Sequence, residues 1–154
     1  MRESPKKPRS ESAPRAELFA HGADIGVRGI GPTPASAFEE GALALVMAIT
    51  DPARVAAESA VEIRCEAPDL GLLFLDWLNA LIYEMAVRRF LFGRFAVRVD
   101  PSTGSGHRLF ARAWGEPVDR VRHAPAVEPK GATLTALKVE FRDGAWVAEC
   151  VVDV

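Results

Sequence analysis

LKVEFRDGAWVAECVVD, residues 137–153, decides the fold. Leu137, Val139 and Phe141 alternate with Lys138, Glu140 and Arg142, the period of a half-buried strand. Asp143-Gly144 is a strong two-residue hairpin signal, and Trp146 to Val152 reads as the returning strand. A hairpin joins antiparallel neighbours, so the sheet holding this segment is antiparallel or mixed. A doubly wound parallel fold is disfavoured.

Upstream of this hairpin the pattern alternates between strands and helices. Leu18 to His21 reads as a short strand and Gly22-Ala23-Asp24 as its turn. Ile25 to Gly31 is a glycine-rich strand, whose glycines suggest a close backbone approach or a bulge. Thr33-Pro34 starts a helix, with Thr33 as N-cap and Pro34 at the first helical position. Phe38, Ala42, Leu45 and Ile49 recur at helical spacing until Thr50-Asp51-Pro52 stops them. Val61, Ile63 and Cys65 alternate as a strand, and Pro68-Asp69 opens a second helix. Leu70, Leu73, Phe74, Trp77, Leu78, Leu81 and Met85 form its broad apolar stripe. Phe95 to Val99 and Leu109 to Ala113 are further strands around a polar turn from Pro101 to Gly106. A loop with Pro117, Pro125 and Pro129 precedes the final hairpin. The expected fold is α+β, a single domain with a mixed or antiparallel sheet and two helices packed on one side.

The 154 residues suit one domain with one core. The opening MRESPKKPRSESAPR holds three prolines, three serines and seven charges with little to bury. Residues 1–16 are therefore expected to be a disordered tail before a domain of residues 17–154. Hydrophobic residues make up 49% and charged residues 26%, an ordinary globular balance. The formal net charge of -2 gives no case for holding a polyanion unaided, because Arg is interleaved with Asp and Glu. Two cysteines, Cys65 and Cys150, make neither a disulfide framework nor a zinc site and read as reduced, packed thiols. No apolar run approaches the roughly 20 residues of a membrane helix. The basic N-terminus lacks a signal core. A cytoplasmic location without membrane association is the expectation.

Sharp catalytic motifs are missing from the sequence. There is no GxxxxGK[ST] loop, no HExxH, no CxxC and no GxSxG, and His21, His107 and His123 lie far apart. Gly26, Gly29 and Gly31 do not fit dinucleotide spacing. No self-sufficient enzyme is expected. Two acids stand out by position: Asp24, in the turn between the first two strands, and Asp153, at the end of an apolar strand. A carboxylate on the main chain of Val154 could join them. Three gathered carboxylates need a positive partner, which a hard, oxygen-liganded cation supplies. Asp24 as a simple turn cap and Asp153 as a solvated acid explain the same spacing. Asp76 sits among apolar positions of the second helix, where a buried hydrogen bond to a neighbouring loop is its expected role. Trp114-Gly115-Glu116-Pro117 closes a strand and begins a loop, with either a packed indole or a contact residue. Arg120, Arg122, His123 and Lys130 make the next loop basic, suited to phosphate, to an acidic partner or only to solvent.

His21-Gly22-Ala23-Asp24-Ile25-Gly26-Val27 resembles the opening His-Thr-Ala-Asp-Ile-Gly motif of the archease family. The resemblance continues through Ala37-Phe38-Glu39, Thr50-Asp51-Pro52, Ala67-Pro68-Asp69 and Asp76-Trp77-Leu78-Asn79. Ala113 to Pro117 and Val151 to Val154 complete an ordered set over residues 17–154. The resemblance implies a divalent-cation-binding accessory protein with no catalysis of its own. Its partner would be a GTP-dependent ligase for tRNA splicing and RNA repair, whose guanylylation and turnover it promotes. It implies Ca²⁺ or Mg²⁺ as cofactor, held by Asp24, Asp153 and Val154. Nucleic acid would be met only through the ligase. His21, Asp76, Trp114, Glu116, His123 and Lys130 are the candidate partner contacts. Two departures stand out: Gly22 in place of threonine, expected to loosen the turn, and residues 131–135, which lack an expected aromatic and histidine. A chaperone-like module whose cation is only structural fits the same fold and the same Asp24.

Overall fold

Asp143 and Gly144 both hold positive φ, 54° and 84°, and Arg142 pairs with Ala145 across them. That is the two-residue turn that aspartate and glycine accommodate, and it closes the hairpin that the sequence signals. The computed structural model describes residues 13–100 and 106–154. Most of the expected tail, and most of the expected turn from Pro101, lie outside the described residues. The strands are β1 (Arg15–His21), β2 (Asp24–Gly31), β3 (Ser59–Ala67), β4 (Phe90–Asp100), β5 (His107–Pro117), β6 (Gly131–Ala132), β7 (Lys138–Arg142) and β8 (Ala145–Asp153). The helices are α1 (Pro34–Ile49), α2 (Leu70–Arg88) and the short α3 (Arg120–His123). Arg15 and Ala16 pair with Ile30 and Gly29, so β1 begins inside the stretch assigned to the tail.

The α+β class stands, and the strands divide into two sheets. One runs β1-β2-β8-β6 with β7 also on β8; the other is β3-β5-β4. Every neighbouring pair is antiparallel. Both long helices touch both sheets: α1 packs on β2 and β4, α2 on β3 and β6. The main core is accordingly one cluster, with Val27 and Cys150 from the first sheet, Ile63 and Leu109 from the second, and Phe38, Phe74 and Trp77 between them, while Ile30, Ala145 and Val147 form a small separate one. Trp77 is fully buried, and its indole N–H donates to the Phe38 carbonyl at 3.0 Å. By length and composition α2 could cross a membrane. Its Leu73, Phe74, Trp77, Leu78 and Leu81 are instead wholly buried in the core, which accounts for its apolar character.

Local chemistry explains the ends of these elements. The Thr33 hydroxyl accepts the Ser36 N–H, and Ser36 answers by accepting the Thr33 N–H, a reciprocal cap. Asp69 caps α2 by accepting the Leu72 N–H at 2.8 Å. The glycines of β2 mark close approach rather than a bulge. A Cβ on Gly29 would meet the Ala37 carbonyl oxygen at 2.0 Å and the Gly41 nitrogen at 2.2 Å, so α1 lies directly on the strand. Cys150 is buried and Cys65 partly so, and neither is in a disulfide. Burial pushes the Cys150 thiol up to about 12 and the Cys65 thiol up to about 11, so both stay protonated and unreactive at neutral pH.

Candidate metal centre and partner face

The first constellation forms at one end of the five-stranded sheet. His21 and Asp24 pair across the β1–β2 turn, where Gly22 sits at φ 60°. At that φ glycine is the least strained residue, so Gly22 suits this turn rather than loosening it. Strand β8 leaves β2 at the Ile25–Val152 pair, and continuing that register sets Asp24 beside Asp153. Opposed residues of an antiparallel pair send their side chains to the same face. The Val154 N–H contacts the Asp24 carboxylate at 3.5 Å, a long hydrogen bond that ties the end of β8 to the start of β2. On the other flank of β8, the Lys130 N–H donates to the Asp153 carbonyl at 2.8 Å.

His21, Asp24, Lys130, Asp153 and Val154 are thus brought together, and none of them is buried. Among the described residues no group of three or more His, Cys, Asp or Glu side chains is placed to hold a metal ion. A cation here would need main-chain oxygen from Val154 beside the two aspartates. Such an all-oxygen set, open to solvent, fits a hard divalent ion that keeps some of its waters.

Asp76 does not make the buried hydrogen bond expected of it. It is exposed, and Asn79, one turn later on α2, does that work. The Asn79 side chain accepts the Ala132 N–H at 2.8 Å and donates to the Ala132 carbonyl at 3.2 Å. The amide copies a strand's donor–acceptor pair and so pins β6 beside Asp153. Three residues leave a net offset of about 60° around the helix, so Asp76 lies beyond the edge of the face that Asn79 turns toward β6.

The second constellation lies where β5 ends. Glu116 and His123 were candidate partner contacts, yet they are only 2% and 1% exposed. Their contacts are internal. Glu116 accepts two hydrogen bonds from the Arg122 guanidinium, at 2.6 and 2.9 Å, and one from the Ala56 N–H at 2.8 Å. The His123 Nδ1 accepts the Asp119 N–H at 2.8 Å, which leaves Nε2 to carry the proton and donate to Glu116 at 2.9 Å. Arg122 first, then the Ala56 N–H and His123, hold the Glu116 carboxyl well below the usual carboxylate range. This network fixes α3 against the segment after α1, aided by Thr50 donating to the His123 carbonyl and the Ala126 N–H to Ile49. Arg122 is its anchor; the sequence marked it only as one charge of a basic loop, and its guanidinium is instead taken up by Glu116. Its signal is Asp119, whose carboxylate caps α3 by accepting from Val121 and Arg122. Trp114 remains half-buried on the outer face of β5, under the Arg94 guanidinium at 4.8 Å.

The two constellations are linked by chain. Residues 124–130 run from the Glu116 network to the backbone beside Asp153, so folding of α3 positions the approach to the acidic end.

Known proteins align with this arrangement over almost the whole domain. The model of the archease protein family matches residues 17–154. The archease of Pyrococcus furiosus is 35% identical, covering 90% of this chain and 97% of that protein. That of Methanopyrus kandleri is 39% identical over 89% and 97% of the two chains. A solution structure of Methanobacterium thermoautotrophicum protein 1598 superposes with a TM-score of 0.78 at 26% identity, covering 90% of this chain and 98% of that one.

Proposed function

The chain belongs to the archease family of accessory proteins, and from that premise we propose that it binds a divalent cation and activates a GTP-dependent RNA ligase in tRNA splicing and RNA repair. The activity raised is guanylylation of the ligase, and with it multiple turnover. The observation that supports this reading is the meeting of Asp24 with the end of β8, at an exposed sheet end that a second protein can reach. Asp24 and Asp153 hold the cation together with a main-chain oxygen of Val154, and Ca²⁺ or Mg²⁺ suits that donor set.

Nucleotidyl transfer from GTP concentrates negative charge on the triphosphate as the ligase nucleophile attacks, and a divalent ion offsets it. The residues of this chain orient rather than react. Asp24 and Asp153 present carboxylates to the partner, while Asn79 and Lys130 hold the β8 end in place. His21 and Lys130 flank the acids and offer donors to phosphate or to acidic ligase groups. No residue serves as a nucleophile.

The test mixes the ligase, GTP, the cation and an RNA carrying a 3′-phosphate, and counts joined ends per ligase. Substoichiometric wild-type protein should carry the ligase past one round, and Asp24→Asn should not. Equal yields with and without wild-type protein would overturn the reading and leave the chaperone-like module.

A further inference from the structure

The outer face of the three-stranded sheet carries a second set of chemistry that the acidic end does not use. The register of β3, β5 and β4 places Arg64, Phe110 and Arg98 in one cross-strand row. Phe110 stands between the two guanidiniums, whose centres lie 5.6 Å and 4.6 Å from its ring centroid. Four residues along β5, about 13 Å away at strand rise, Trp114 lies under Arg94 at 4.8 Å. Beside the Phe110 row lies an open groove of about 350 Å³, lined among others by Glu62, Arg64, Arg98, Phe110 and Arg112.

Five arginines point from this face: Arg64, Arg94, Arg98, Arg108 and Arg112. Three acids accompany them, and each is already engaged. Glu66 pairs with Arg108 at 3.3 Å, Glu62 with Arg112 at 3.2 Å and Asp100 with Arg98 at 3.5 Å. Glu39, at the groove's end, accepts the Val97 N–H at 2.7 Å. Arg64 and Arg94 make no ion pair among the described residues and rest only on aromatic rings. The overall charge of -2 hides this local excess of cations.

We propose that this face binds single-stranded nucleic acid directly. Unpaired bases stack on aromatic rings and on guanidinium planes alike, and both alternate here on a sheet open to solvent. Phosphates pair with arginines that hold no carboxylate. An acidic protein surface would use the charges, whereas rings flanked by guanidinium planes also supply the stacking surface that unpaired bases match. The face lies on the other sheet from Asp24, and the proposal stands independently of the ligase reading.

Fluorescence anisotropy of the protein alone, in EDTA, with a labelled single-stranded RNA of about 12 nucleotides tests it; a DNA strand of matching sequence tells the two sources apart. Wild type should bind one or both, with affinity falling as salt rises. Arg64→Glu with Arg98→Glu should weaken binding at least about tenfold, and Phe110→Leu about fivefold or more, with circular dichroism unchanged. Asp24→Asn should bind as wild type does. Absence of salt-sensitive binding by wild type, or equal affinity in the arginine double variant, overturns the proposal. Equal binding by Phe110→Leu, with polyglutamate competing as well as RNA, overturns it in favour of an acidic protein partner. None of these outcomes touches ligase activation, because neither ligase nor cation is present.

Discussion

Asp24 is defined by what reaches it, a backbone N–H from Val154 at 3.5 Å and a neighbouring strand end that sets Asp153 alongside. A cation bound here would stabilise by mass action, because an unfolded chain cannot gather groups 130 residues apart. At a hundredfold excess over Kd the gain is about 2.7 kcal/mol. Thermal melts should show a cation-dependent rise in Tm for wild type and little or none for Asp24→Asn; an equal rise in both would remove Asp24 from the site. Glu116 supports a different prediction. Its folded pKa is depressed below the ordinary 4.5, so its stabilisation is complete above that value and drains away as pH falls through the folded one. Wild-type Tm should therefore drop as pH falls below about 4.5, and Glu116→Gln should flatten that drop while lowering Tm at neutral pH. Parallel pH profiles would mean that the Arg122 and His123 contacts carry no linkage.

Elements were legible where a local rule fixes them. Thr33 and Asp69 announced both long helices because capping is a matter of three neighbouring residues. Asp143-Gly144 announced the last hairpin through its positive φ values. Strand β6, of two residues, and helix α3, of four, are too short for any period to show. Alternation told which strand faces are buried but not which strands pair, so the division into two sheets stayed hidden. The β2 glycines left close approach and bulge open, and Gly29 decides for close approach. Gly29→Ala should drive α1 off the strand, costing about 1–3 kcal/mol or more in chemical denaturation. A loss below about 0.5 kcal/mol would show that the helix yields without strain.

At the scale of the molecule, two sheets share one core through two helices, and each sheet displays its own chemistry. The five-stranded sheet ends in exposed carboxylates, and the three-stranded sheet shows an arginine–aromatic face. The acidic end was legible in the sequence because Asp24 sits in a turn and Asp153 closes an apolar strand. Asn79 was not, since its role depends on a partner 53 residues away, and Arg122 showed only as one charge of a basic loop because its pairing with Glu116 depends on how α3 folds back. Asp76 drew attention for its apolar surroundings, but helix rotation leaves it in solvent. The central claim is that the acidic end serves ligase guanylylation. The most direct measurement is single-turnover transfer of labelled GMP to the ligase, with cation present and RNA omitted. Wild-type protein should raise the labelled fraction and Asp24→Asn should leave it at the level of ligase alone. Equal labelling by wild type and Asp24→Asn would contradict the account.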